Sequence, residues 1–150
     1  MVFEQIFFNG IFNLFIISFL ASTLLPLGSE GALAIYIAQQ HNIWVIVLVA
    51  TLGNYLGSFV NYYIGLKGRN TILHKIIRFS DNDIEKSRKL FNKYGSWVLF
   101  FSWVPIIGDP LTFVAGILNY DLKKFTFFVF FGKLFRYSFV ALVVIGVIAM

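Results

Sequence analysis

The sequence predicts an all-α polytopic membrane protein, with two re-entrant helical hairpins arranged as an inverted repeat and two to three spanning helices. Three observations carry this. Apolar residues make up 59% of the chain and charged residues only 13%, far from the balance of soluble domains. The polar, helix-breaking stretch Pro105-Ile106-Ile107-Gly108-Asp109-Pro110 interrupts an apolar run from Trp97 to Leu118. Finally, a shift of 79 residues lays Pro26 on Pro105, Glu30 on Asp109 and Gly53 on Gly132, so the pattern occurs twice.

The physical content of the break is specific. Each proline removes a backbone donor and crowds the preceding turn, and a carboxylate at membrane depth costs roughly 2.5–3.5 kcal/mol on insertion scales. Broken backbone survives at that depth only where protein or water satisfies it, so Pro26, Pro105 and Pro110 are expected to mark hairpin breaks beside a cavity or pathway. At 150 residues the chain is expected to be a single domain, 1–150, with repeat halves of about 1–66 and 67–150.

Charge fixes an orientation. Lys67, Arg69, Lys75, Arg78, Lys86, Arg88, Lys89 and Lys93 are opposed in their segment only by Asp81, Asp83 and Glu85, which places the whole net charge of +5 there. Under the positive-inside rule this segment is cytoplasmic, and it is expected to meet anionic lipid headgroups rather than nucleic acid. The chain has no cysteine, which excludes disulfides, thiolate catalysis and cysteine-ligated metals. No basic region precedes the first apolar stretch and no small-residue cleavage site follows it, which argues against a removable signal peptide.

In chain order, residues 3–25 are long enough to span and equally fit an interfacial helix leading into a hairpin. Residues 18–42 read as a re-entrant helix-turn-helix broken at Pro26 to Gly31, because the returning segment Ala32–Gln40 rises only about 14 Å. Ile43–Leu66 is a spanning helix anchored by Trp44 and by Tyr62-Tyr63. Gly53, Asn54, Gly57, Ser58, Asn61 and Gly65 form a small and polar stripe along it. Gly53 and Gly57 permit close approach of another helix, to which the asparagines can hydrogen-bond; Gly65 extends the packing stripe. Ser80 and its acidic successors predict a helix start and Gly95 a stop. Ile84, Leu90, Phe91 and Tyr94 give that helix an apolar face for the inner membrane surface. Trp97–Leu118 is the second hairpin, and Phe125–Met150 crosses outward.

The first hairpin thus enters from outside and the second from the cytoplasm, as in transporters built on inverted repeats. Counted from residue 124, Lys133 and Arg136 lie about 14 and 18 Å deep, and Asn54 about 17 Å from the outer end of its helix. Glu30, Asp109, Lys133, Arg136 and Asn54 can therefore reach one midplane layer, in which the four charges cancel. Mutual salt-bridging that only holds the hairpins is the plainer reading of this layer; the cost of burying ion pairs where apolar residues pack as well stands against it.

The runs Pro26-x-x-x-Glu30, Gly53-Asn54-x-x-Gly57 with Tyr62-x-x-Gly65, Tyr94-Gly95-Ser96-Trp97, Ser102-Trp103-x-Pro105-x-x-Gly108-Asp109-Pro110 and Gly132-Lys133-x-x-Arg136-Tyr137 resemble the DedA family, also called the SNARE-associated or VTT-domain family, and particularly its short YqaA-like branch. The resemblance covers about residues 15 to 140. It implies a bacterial inner-membrane, multi-pass protein with two opposed re-entrant hairpins. It also implies a role in moving lipids or lipid-linked carriers between leaflets with proton coupling.

The reading that follows is a transporter or flippase-like protein. Glu30 and Asp109 are the titrating or gating acids, Arg136 with Lys133 neutralises them or holds an anionic headgroup, and Asn54 and Gly108 supply polar contact and close approach. A non-transporting scaffold or envelope-homeostasis factor is the alternative. An enzyme is not expected: there is no His-Glu-x-x-His, Gly-x-Ser-x-Gly or phosphate loop, and His41 and His74 lie outside the layer. No cofactor or metal is expected. The expected partners are membrane lipids, an anionic lipid or lipid-phosphate substrate, protons and a second copy of the chain.

Overall fold

The computed structural model describes residues 2–23, 28–39, 42–67, 81–104 and 107–150. These form seven α-helices: α1 (Val2–Thr23), α2 (Ser29–Ala38), α3 (Ile43–Lys67), α4 (Asp81–Tyr94), α5 (Trp97–Phe100), α6 (Gly108–Ile117) and α7 (Leu122–Ile148), with a 3-10 turn at Phe101–Trp103. There is no strand among the described residues. α3, with 25 residues, and α7, with 27, are each long and apolar enough to cross a membrane. α2 and α6 have ten residues each, which gives about 15 Å of length, half of a hydrocarbon core. Pro26 and Pro105 lie outside the described residues, as do Ser80 and the basic residues between 68 and 80.

Local chemistry explains the boundaries. Asn42 caps α3, its Oδ1 accepting from the N–H groups of Trp44 and Val45 at 3.0 and 3.4 Å. Asp121 does the same for α7 through the Lys124 N–H at 2.9 Å, each cap satisfying a donor the helix itself cannot. α4 ends on Gly95, whose φ of 60° and N–H bond to the Phe91 carbonyl, 2.9 Å, make the left-handed stop its sequence predicts. α6 ends on Asn119, also left-handed at φ 51°. The Asn119 N–H meets Gly116 O and the Tyr120 N–H meets Ala115 O, each at 2.9 Å, the paired bonds of a Schellman ending. Pro110 sits in the first turn of α6, where no intrahelical donor is required.

Element positions recur along the chain. Ser29 and Gly108, which begin α2 and α6, are 79 residues apart. So are Ile43 and Leu122, which begin α3 and α7, and so are the caps Asn42 and Asp121.

The chain packs as two units, Met1–Gly57 with Lys133–Met150, and Ser58–Gly132. In the first unit α1 packs on α2, and an apolar core gathers Leu14, Leu33, Ile37, Ile46, Val47, Ala50, Tyr137 and Ala141. The expected hairpin from residue 18 is entered by a helix that already runs from Val2. Gly53 and Gly57 press α3 against α1: a Cβ on either would stand 2.5 Å from the carbonyl oxygen of Phe15 or Phe19.

In the second unit α3 and α6 cross on a reciprocal pair. A Cβ on Gly65 would strike the Phe113 carbonyl, and one on Gly116 would strike the Tyr62 carbonyl. Tyr62 Oη donates to Tyr120 O at 2.5 Å, and its ring lies 4.6 Å from that of Phe125. α4 packs on α6; its Ser87 and Phe91 are buried, while Tyr94 is exposed. The apolar face expected for the membrane surface is therefore divided, with Phe91 turned into protein.

Both long helices are inverted relative to a soluble core. α3 buries Thr51, Asn54, Ser58 and Asn61 while exposing Leu48, Leu52, Leu56 and Val60. α7 exposes Phe127, Phe131, Phe135 and Phe139, one per turn, while burying Lys133. Water would reverse this arrangement; a lipid solvent favours it, because only internal partners can satisfy polar groups there.

Candidate functional site

The site in the first unit is assembled from two consecutive residues on each of two helices. Ser29 and Glu30 form the first turn of α2, and Arg136 and Tyr137 lie on α7. Glu30 Oε1 and Arg136 Nη2 form an ion pair, and Ser29 Oγ shares a hydrogen bond with Tyr137 Oη at 2.6 Å. Gly28 offers no side-chain cap to α2, so Glu30 supplies the negative charge that the helix N-terminus favours.

Burial is graded across these pairs. Ser29 and Tyr137 are closed off, whereas the side chains of Arg136 and Glu30 retain 18% and 30% of their exposure. Arg136 lies with its guanidinium carbon 6.0 Å from the Tyr137 ring centroid, near the outer limit of a cation–π contact. Lys133, one turn before Tyr137, is 2% exposed and adds a buried cation to the same face of α7, whose buried positions run Phe125, Val129, Lys133, Tyr137 and Ala141. A lysine is almost never fully buried unless it is paired.

The remaining expected site residues fall as follows. Asn54 is buried, and its Nδ2 donates to the Ser18 carbonyl at 3.0 Å, across the Gly53–Gly57 contact with α1. Its Oδ1 and the Ser18 Oγ are buried without a hydrogen-bond partner among the described residues. Gly108 and Asp109 belong to the second unit, at the start of α6. A Cβ on Gly108 would collide with the Ser102 carbonyl, and Thr112 Oγ1 donates to the Asp109 carbonyl at 2.8 Å. Glu30 and Arg136 are thus brought into contact, Lys133 lies on the buried face of α7 with Tyr137, and Asn54 is committed to helix packing.

Ser29 and Tyr137 carry the closed-off contact of the site and were not among the expected site residues. The signal that could have found them is adjacency: a polar residue beside each charge, Ser-Glu on one segment and Arg-Tyr on the other.

A partly open carboxylate–guanidinium pair beside a closed hydroxyl pair has a definite chemistry. Protonating the carboxylate removes one partner. An incoming phosphate can compete for the guanidinium, whose planar fork matches its oxygens.

The family profile described as the VTT domain matches residues 25–146. The chain is 38% identical over 133 residues to the inner membrane protein YqaA of Escherichia coli, covering 88% of this chain and 89% of that one. It is 29% identical over 100 residues to an alkaline phosphatase-like protein of Lactococcus lactis, covering 59% of this chain and 45% of the relative. It is 24% identical over 93 residues to undecaprenyl phosphate transporter A of Staphylococcus aureus, covering 57% and 46%. No solved structure matches.

Proposed function

Starting from the fact that this chain is a membrane protein of the VTT-domain, or DedA, family, we propose that it is a multi-pass bacterial inner-membrane transporter that moves an anionic lipid or lipid-linked carrier between leaflets with proton coupling. The observation that carries this reading is the Glu30–Arg136 ion pair, set between an α2 too short to cross and a spanning-length α7. Such a pair is costly in a bilayer, and apolar residues would hold α2 as well. Its partial exposure leaves the guanidinium within reach of a competing anion. A distant relative named as an undecaprenyl phosphate transporter supports the substrate class.

The re-entrant hairpins and the inverted repeat belong to the same proposal. They are supported by the common offset of 79 residues in helix starts and caps and by the basic segment that orients the chain. In this reading Asp109 is the counterpart of Glu30, Lys133 and Arg136 neutralise the acids, and Gly108 lets backbone approach. Alternate access arises when protonation of an acid shifts the balance between two arrangements of the pair.

A non-transporting scaffold is the second reading, and the closed Ser29–Tyr137 bond favours it, because that bond docks α2 on α7 whatever the charges do.

Reconstitution separates the two. In proteoliposomes carrying a fluorescent polyprenyl phosphate, the native protein should exchange the lipid between leaflets faster under a proton gradient. Glu30→Gln should abolish the gradient dependence while reaching the bilayer at normal abundance. Native exchange no faster than protein-free vesicles, or a Glu30→Gln protein with undiminished gradient response, would remove the proton-coupled carrier.

A further inference from the structure

The second unit holds a cleft of about 490 Å³ between α4 and the start of α6, in the size range of small-ligand sites. Its α4 wall presents Lys86, Lys89 and Lys93, which helical spacing sets along one side, with Leu90 among them; Ile107 and Pro110 form the facing wall. No acid is among the described lining residues. Among the described residues Lys89 pairs with Glu85 at 4.0 Å, both side chains well exposed, a contact of the kind that adds little and yields readily to a stronger anion. Three cations are thus gathered around an apolar floor.

That combination selects its ligand by chemistry. The lysines call for a phosphate oxygen set, since an ammonium on a flexible stem serves as a mobile point charge. Leu90, Pro110 and the 48% exposed Ile107 offer nothing to inorganic phosphate, but they suit the first methylenes of an acyl chain. The boundary position agrees. Tyr94, which lines the cleft, and Trp97, which follows it, are both exposed aromatics, the pair of residue types that collects where lipid meets water. We infer that this cleft binds the phosphate headgroup of an anionic diacyl phospholipid, with Lys86, Lys89 and Lys93 on the phosphate and Leu90 and Ile107 on the glycerol end of the chains. The site shares no residue with the Glu30–Arg136 pair and stands whether or not the protein transports anything. It differs from the diffuse attraction of a basic segment for a negative surface in being a discrete, saturable cleft.

Native mass spectrometry of the full-length protein in micelles, titrated with phosphatidylglycerol or phosphatidylcholine, tests it. The native chain should retain one phosphatidylglycerol in preference to phosphatidylcholine. Combined Lys86→Gln, Lys89→Gln and Lys93→Gln should weaken that retention by on the order of tenfold or more, while Lys123→Gln with Lys124→Gln leaves it intact. Ile107→Asn, which keeps every charge, should weaken it as well, and millimolar inorganic phosphate should fail to displace the lipid. Three results overturn the inference: equal loss in both lysine variants, which means delocalised charge; displacement by inorganic phosphate, which means a small-anion site; or unchanged retention in Ile107→Asn, which means the acyl chain makes no contact there.

Discussion

Ser29 Oγ and Tyr137 Oη lie 2.6 Å apart across 108 residues of chain, fully buried, each next in sequence to a member of the Glu30–Arg136 ion pair. Two bonds between the same two helix segments divide by burial: the neutral one is closed off and the charged one is partly exposed. Both parts of that division can be measured.

Tyr137→Phe leaves the Ser29 hydroxyl buried without its partner, and stability should fall by about 1–3 kcal/mol. Ser29→Ala added to Tyr137→Phe should recover part of the loss, because removing both partners leaves no orphaned hydroxyl. Denaturant unfolding in micelles reads the four-corner cycle; strictly additive losses would show that the two hydroxyls do not depend on each other.

The charged pair should behave differently. Arg136→Ala strands the Glu30 carboxylate in a low-dielectric site, so stability should drop by roughly 1–3 kcal/mol, below the 3–5 of a fully buried pair. Glu30→Ala together with Arg136→Ala should restore stability without restoring lipid exchange. A double variant that recovers both would make the pair a fastening alone.

Glycine substitutions test the helix crossing. Gly53→Ala and Gly57→Ala would each put a methyl 2.5 Å from a carbonyl oxygen of α1, and each should destabilise by about 1–3 kcal/mol. Gly31→Ala and Gly146→Ala meet nothing within 4 Å and should be neutral or stabilising by up to about 1 kcal/mol. Thermal aggregation midpoints of the four variants should fall into these two groups.

Orientation is open to labelling, because the native chain contains no cysteine. Lys89→Cys and Asn42→Cys both stand at exposed positions. A membrane-impermeant maleimide should reach Lys89→Cys only from the cytoplasmic side and Asn42→Cys only from the outer side. Access to both from one side would defeat the inverted arrangement.

The sequence by itself determined the solvent and the parts. A chain this apolar with so few charges can bury its surface only in lipid, and the spanning length of α3 and α7, the stop at Gly95 and the close-approach glycines Gly53, Gly57 and Gly65 follow from local rules of hydropathy, φ and side-chain size. The candidate acids and bases were legible for the same reason: a charge inside an apolar run is conspicuous. Pairing was not legible. Helical spacing places Arg136 and Lys133 on one face of α7, but only the packed chain gives Arg136 to Glu30, joins Ser29 to Tyr137 and commits Asn54 to the Ser18 carbonyl. Gly116 was missed because its role exists only opposite Gly65. Partners such as these lie from 36 to 108 residues apart along the chain, and their choice belongs to the way helices stack, which no local pattern encodes.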